Sequence, residues 1–136
     1  MAHEGGIKKW LLRNQLTIDN ERRRVDMSSK LLVIIATGEN EKALTGLMYA
    51  SRTLSEGWMD KVKVIFFGPS ERLLVKDKRI AQAAKEISDV EKPIACKFIS
   101  DREGISEKIE DCGVKVDYVG TIISELIKDG YVPMVF

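Results

Sequence analysis

The chain has 136 residues, of which 44% are hydrophobic and 32% charged, a composition typical of one globular domain. Its 22 basic and 21 acidic residues nearly cancel, so no net field drives it onto nucleic acid or an anionic membrane. The longest apolar run, residues 31–36, is far shorter than the roughly 20 residues of a membrane-spanning helix. Two cysteines and no signal-peptide pattern predict a reducing, cytoplasmic location.

Residues 1–29 differ from the rest and are expected to form an N-terminal extension, flexible or loosely docked. Four apolar side chains have helical spacing: Ile7, Trp10, Leu11 and Ile18. With this stripe, the alternative interpretation is a helix that packs on a partner subunit. The arginines at 22–24 leave open a nucleic-acid arm, although one short basic run is a weak signal.

From residue 30 onward, apolar segments alternate with amphipathic ones. Five strands are predicted, at residues 31–36, 62–67, 94–99, 114–119 and 131–136. Four helices are predicted between them: residues 41–56, residues 70–87, a short helix capped by Ser100 or Asp101 and ending near Cys112, and residues 122–128 capped by Thr121.

This alternation predicts an α/β domain over residues 30–136, with a parallel sheet and helices on both faces. The expected topology is the flavodoxin-like, doubly wound one, with strand order 2-1-3-4-5. Pro133 lies in the last predicted strand and cannot donate to a ladder hydrogen bond. That strand is therefore expected at an edge of the sheet.

In such a sheet, sites form beyond the carboxyl ends of the strands, where the strand order reverses. The expected order places that point between strands one and three, so Cys96 falls beside it. A helix N-terminus and neighbouring cations favour the nucleophilic thiolate. The residues expected to support Cys96 are Lys97, Ser100, Asp101, Arg102, Thr37 and Gly38. The alternative is that Cys96 is a small buried hydrophobe.

The sequence lacks the residues that several other kinds of functional site require. The single histidine, His3, precedes the domain, so the domain holds no histidine-activated nucleophile and no zinc ligand set. No dinucleotide-binding or P-loop motif occurs, and Glu39 and Glu41 would repel a flavin phosphate. No cofactor or metal is expected. Cys112 follows Asp111, whose charge should raise the thiol pKa, so Cys112 is interpreted as buried or incidental. The alternative is a resolving thiol, if association of subunits brings Cys112 near Cys96.

An ordered set of features continues to the end of the chain. It comprises Cys96 at a strand end, Gly104-Ile105, Gly113 before a strand, Gly120 before a helix and Asp129-Gly130-Tyr131 before the last strand. With strand one and Thr37-Gly38, this set resembles the DsrE/DsrF-like family of small sulfur-relay proteins. The resemblance covers about residues 30–136. Lys97 departs from the family pattern, in which a small residue often follows the cysteine.

The resemblance implies that Cys96 carries sulfane sulfur as a persulfide, taken from a donor protein and passed to an acceptor thiol. It also implies a homo-oligomer, trimeric or hexameric, with no direct contact to nucleic acid or membrane. Whether the chain is an enzyme of the sulfurtransferase class stays open. One alternative is a non-catalytic oligomeric subunit or binding module with a buried, inert Cys96; another is an enzyme that binds a small metabolite in the crevice. The exposure of Cys96 separates the first two hypotheses.

Overall fold

A computed structural model of the protein describes residues 6–14 and 28–136. Residues 6–14, called the leader helix below, are helical and exposed. Ile18, His3 and the arginines at 22–24 lie outside the described residues, so the interpretations placed on them stay predictions. In the part of the chain that the structure describes, no helix is both long and apolar enough to cross a lipid bilayer.

Strands and helices alternate from residue 30 as the apolar pattern predicts. The strands are β1 (Lys30–Ile35), β2 (Lys61–Phe66), β3 (Ile94–Cys96), β4 (Lys115–Asp117) and β5 (Val132–Val135). The helices after the leader are α1 (Asn40–Glu56), α2 (Ser70–Lys76), α3 (Lys78–Ser88), α4 (Lys97–Glu103), α5 (Ser106–Asp111) and α6 (Val119–Lys128). All strand pairs are parallel, which confirms the α/β class.

The predicted strand order is wrong. The sheet has the order β4-β3-β2-β1-β5, so β1 lies between β2 and β5 instead of between β2 and β3. β5 pairs with β1 from Leu31↔Val132 to Ile34↔Val135. All six residues of β1 are buried, and a strand buried in this way needs a neighbour on both sides. Pro133 is in an edge strand, as predicted, but the neighbour of that strand is β1.

This order distributes the helices unequally between the two faces of the sheet. The chain steps in one direction from β1 to β4 and, although Ile99 of α4 packs on the other face, right-handed crossovers place most of the connecting helices on one face. That face, called the α1 face, packs a large cluster to which α1, α2, α3 and α5 contribute. On the opposite α6 face, α6 packs on a smaller cluster of buried residues: Leu32, Ile34, Ile65, Cys96, Val119 and Tyr131.

Three helix boundaries differ from the prediction. The helix expected over residues 70–87 is two helices, because Asp77 is extended and its carboxylate accepts the Arg79 N–H at 2.8 Å as an N-cap. The helix expected up to Cys112 is also two, since Gly104 ends α4 in the left-handed conformation with φ 70°. Thr121 lies inside α6 instead of capping it.

Candidate functional site

Cys96 is the last residue of β3 and the N-cap residue of α4. Its Cα pairs with that of Asp117 on β4. The residue is only 5% exposed, because its side chain belongs to the apolar cluster of the α6 face, with Leu32 and Ile34. An accessible thiol is what sulfur relay requires, whereas the structure has the buried cysteine that the binding-subunit hypothesis expects.

The predicted crevice between strands one and three does not form, because β2 separates β1 from β3. Thr37 and Gly38 therefore do not meet Cys96 across a crevice. The Thr37 N–H donates to the Phe136 carbonyl at 3.0 Å, and the Thr37 hydroxyl accepts the Glu39 N–H. Gly38 packs against Pro69, so closely that an added Cβ would lie 3.1 Å from the proline Cβ. Both residues shape the turn that follows β1.

Ser100 and Asp101 do not cap a helix near the thiol, because α4 begins at Lys97 and includes them. The buried Ser100 hydroxyl donates to the Lys97 carbonyl at 3.2 Å and shares a hydrogen bond of 2.7 Å with the Ser106 hydroxyl. The Ser106 hydroxyl also lies 2.5 Å from Asp101 Oδ1. These contacts join α4 to α5.

The two predicted cations lie over aromatic rings. Lys97 Nζ is 5.7 Å from the centre of the Tyr118 ring, and the Arg102 guanidinium is 5.7 Å from the centre of the Phe98 ring. Asp117 has a pKa below its ordinary value, mainly because its carboxylate accepts the Tyr118 N–H at 2.8 Å, with Lys115 and then Lys97 adding to the effect. Arg102 and Lys97 therefore help to build a mixed aromatic and charged surface.

That surface lies at the carboxyl ends of β2, β3 and β4, and the sequence analysis did not predict it. Its exposed rings are between 41% and 65% exposed, although Cys96 beside them is buried. We call the following residues the carboxyl-edge surface: Phe67, Lys97, Phe98, Arg102 and Tyr118. The available signal was that an aromatic residue lies at or just beyond the end of each of three successive strands.

Cys112 lies at the end of α5, beside the α1-face cluster and so on the opposite side of the sheet from Cys96. Burial raises its pKa, and the Asp111 charge raises it further against the opposing Lys85. The predicted direction is therefore confirmed, although burial contributes more than charge. The separation across the sheet prevents Cys112 from serving as a resolving thiol for Cys96 within one chain.

Glu71 is a buried carboxyl group that the amino-acid pattern did not predict. It is fully buried on α2; its Oε2 accepts the Gly68 N–H at 3.2 Å, and its Oε1 has no hydrogen-bond partner among the described residues. Burial raises the pKa of Glu71 to about 7, against the Gly68 hydrogen bond. Glu71 is therefore expected to change its protonation state near neutral pH.

The sequence matches no protein-family model and no curated protein. Two solved structures are similar. The conserved protein of unknown function BT1422 from Bacteroides thetaiotaomicron has a TM-score of 0.69 and 24% identity, over 79% of this chain and 95% of that one. The protein of unknown function MTH1491 from Methanobacterium thermoautotrophicum has a TM-score of 0.61 and 15% identity, over 79% and 99%. At these identities the two likenesses establish that the chain shares their α/β fold.

Proposed function

We propose that this chain is a binding subunit of a homo-oligomer, in which the carboxyl-edge surface contacts another copy and Cys96 is a packing residue. One contrast carries the proposal: Cys96 is 5% exposed, whereas Phe98 beside it is 65% exposed. The reactive atom is withdrawn from solvent, and the groups that make good protein contacts are presented to it. The resemblance to DsrE/DsrF-like proteins, which assemble as trimers or hexamers, agrees with this proposal.

The chemistry of the surface supports contact with a second copy. Exposed aromatic side chains dominate the energetics of protein interfaces, and burying one contributes about 1.5–3 kcal/mol. Both signs of charge are present, since Lys97 and Arg102 lie near Asp117 and Glu103. Cations of one copy can therefore face carboxylates of the next. A net charge of +1 gives the copies little mutual repulsion.

Sedimentation velocity of the full chain tests this proposal. Phe98→Ser and Tyr118→Ser should each shift the oligomer towards monomer, because each removes an exposed ring from the contact. Val90→Ser is the matched control, since Val90 is equally exposed but precedes β3, at the opposite end of that strand. A wild-type chain that stays monomeric over a wide concentration range, or ring variants that behave as Val90→Ser does, would contradict the proposal.

A second candidate function is sulfur relay through Cys96, favoured by its position at the end of β3, next to the carboxyl-edge surface. The Cys96 thiolate would attack the outer sulfur of a donor persulfide. The donor S–S bond breaks, the donor leaves as a thiolate, and Cys96 holds the persulfide until an acceptor thiolate takes the sulfur. A docked partner must first expose the thiol. Both cysteines are free, which fits a reducing cytoplasm.

Mass spectrometry distinguishes the two functions. The folded chain is treated with an alkylating probe or a small persulfide donor, with Cys112→Ser to isolate Cys96 and Cys96→Ser as the blank. Gain of one sulfur atom by Cys96 under native conditions supports relay and contradicts a purely packing role. Labelling of Cys96 only on unfolding supports the packing role and removes relay as the function of the isolated protein.

A further inference from the structure

A groove of about 630 Å³ lies on the α1 face, between α1 and β5. We call it the α1–β5 groove; its lining residues are Thr45, Met48, Tyr49, Arg52, Trp58, Met134 and Phe136. The lining is mostly apolar, and the Tyr49 and Trp58 rings lie 6.2 Å apart in its wall. This groove is separate from the carboxyl-edge surface and is not used by the proposed function.

The groove exists because no crossover helix among the described residues covers β5 on this face. The chain reaches β5 through α6, which lies on the opposite face, so α1 is the last helix in the row. Val132 and Met134 pair in register with Leu31 and Val33, which belong to the α1-face cluster, yet both remain exposed. Parallel strands are normally covered on both faces. The fold therefore has space for one more helix beside α1.

The leader helix has the complementary property. Ile7, Trp10 and Leu11 have the spacing i, i+3, i+4 and form one stripe, and all three are exposed. A helix of this length is marginal in water unless an apolar face packs on another surface. Within residues 6–14 and 28–136, there is thus an apolar helix stripe that nothing covers and an apolar groove that no helix covers.

The chain between the leader helix and the domain is long enough for the helix to reach the groove, and it joins the domain beside the groove. Ser29 donates its N–H to Asp60 Oδ2 at 2.8 Å and accepts the Asp60 N–H with its hydroxyl at 3.0 Å. Asp60 is two residues from Trp58, which lines the groove. The chain therefore enters the domain at the Trp58 end of the groove. The 13 residues from 15 to 27 can span at most about 45 Å, enough to reach any part of it.

We propose that the leader helix closes onto the α1–β5 groove of its own chain, with the stripe of Ile7, Trp10 and Leu11 against Met48 and Met134. The structure described here shows the stripe exposed, so docking is a closing movement of the leader helix. Because the leader helix and the groove belong to one chain, docking within the chain is unimolecular, which favours the groove of the same chain over that of a second copy.

Tryptophan fluorescence tests this proposal, because Trp10 and Trp58 are the only tryptophans in the chain. Trp58→Phe keeps an aromatic ring in the groove and leaves Trp10 as the sole emitter. We expect its emission to be blue-shifted relative to the unfolded chain and weakly quenched by acrylamide. Adding Met48→Glu should shift the emission to the red and raise the quenching constant severalfold. Met48 is exposed, so this variant should still fold, which circular dichroism checks.

Val90→Glu in the same Trp58→Phe background is the control, because it adds an equal charge at an exposed apolar position away from the groove. The proposal is overturned if Trp10 is fully solvent-exposed in the folded protein, or if Met48→Glu and Val90→Glu have the same effect. It is also overturned if the blue shift disappears on dilution together with a fall in mass, since the groove would then hold the leader helix of a second copy.

Discussion

The two faces of the sheet differ in how many apolar side chains pack on them. Among the residues that the structure describes, 17 buried ones form one cluster with four helices on the α1 face, whereas six pack mainly beneath a single helix on the α6 face. Dense apolar packing gives a region the full stability of the domain, and sparse packing leaves it free to open locally. Cys96 is in the sparse cluster. The comparison teaches that this fold keeps its densest packing and the Cys96 thiol on opposite sides of the sheet.

The largest difference between the faces should come from truncating buried side chains. Ile80→Ala removes a fully buried side chain from the α1-face cluster and should cost about 2–5 kcal/mol. Ile122→Ala removes a partly buried one from the α6 face and should cost about half as much, because water can reach the gap. Urea unfolding of both variants measures the contrast, and equal costs would show that the faces contribute alike.

Glu71 gives the α1 face a pH dependence. Its pKa in the folded state is raised from 4.5 to about 7, so the folded state holds the proton more tightly than the unfolded state. The stabilisation by the protonated group is complete below pH 4.5 and is lost as pH rises to about 7, a change of roughly 3 kcal/mol or less.

The free energy of unfolding of Glu71→Gln, measured in urea from pH 4 to 8, checks this linkage. The free energy of unfolding of the variant should rise relative to that of wild type as pH increases through that window, because glutamine cannot ionise. Glu125→Gln on the exposed side of α6 is the control and should follow the wild-type curve. Parallel curves for wild type and Glu71→Gln would mean that Glu71 does not titrate in the fold.

Two glycines within helices should respond to alanine with opposite signs. A Cβ on Gly46 of α1 would lie 2.5 Å from Ile35 Cδ1 and 2.7 Å from Phe136 Cγ, so Gly46→Ala should cost about 1–3 kcal/mol. A Cβ on Gly120 of α6 meets nothing within 4 Å, so Gly120→Ala should stabilise by about 0.5–1 kcal/mol. Thermal unfolding of the pair is the measurement, and the same sign for both would refute the packing contrast.

On the α6 face, the expected effect of Cys96→Ser is modest. Placing a hydroxyl in the apolar cluster of the α6 face should cost about 1–2 kcal/mol, which leaves the chain folded and usable as the blank in thiol labelling. Cys96→Ala should cost less, because alanine carries no polar group into the cluster. If the serine variant is as stable as the alanine variant, the site is wetter than its burial indicates.

The sequence allowed the alternation of strands and helices to be predicted, because buried parallel strands are continuous apolar runs and the helices carry a 3.6-residue period. The lateral order of strands has no such local signature. The burial of Cys96 also depends on order, since it follows from Ile65 on the neighbouring β2 and from Leu32 and Ile34 on β1, two places away in the sheet. Glu71 resembles any acidic residue in a first helical turn, and only the tertiary fold buries it.

The pairing of β5 with β1 has a consequence for how the chain comes to be folded. Val135 contacts a partner strand about 100 residues earlier, and the Phe136 carbonyl accepts N–H groups from both Ala36 and Thr37. During synthesis, β1 therefore keeps one unpaired and strongly apolar edge until residues 132–136 have left the ribosome. Such an edge is a template for wrong pairing. A nascent chain of this protein should thus need shielding until β5 can pair with β1, and a chain truncated before β5 should aggregate although most of the described core residues are present.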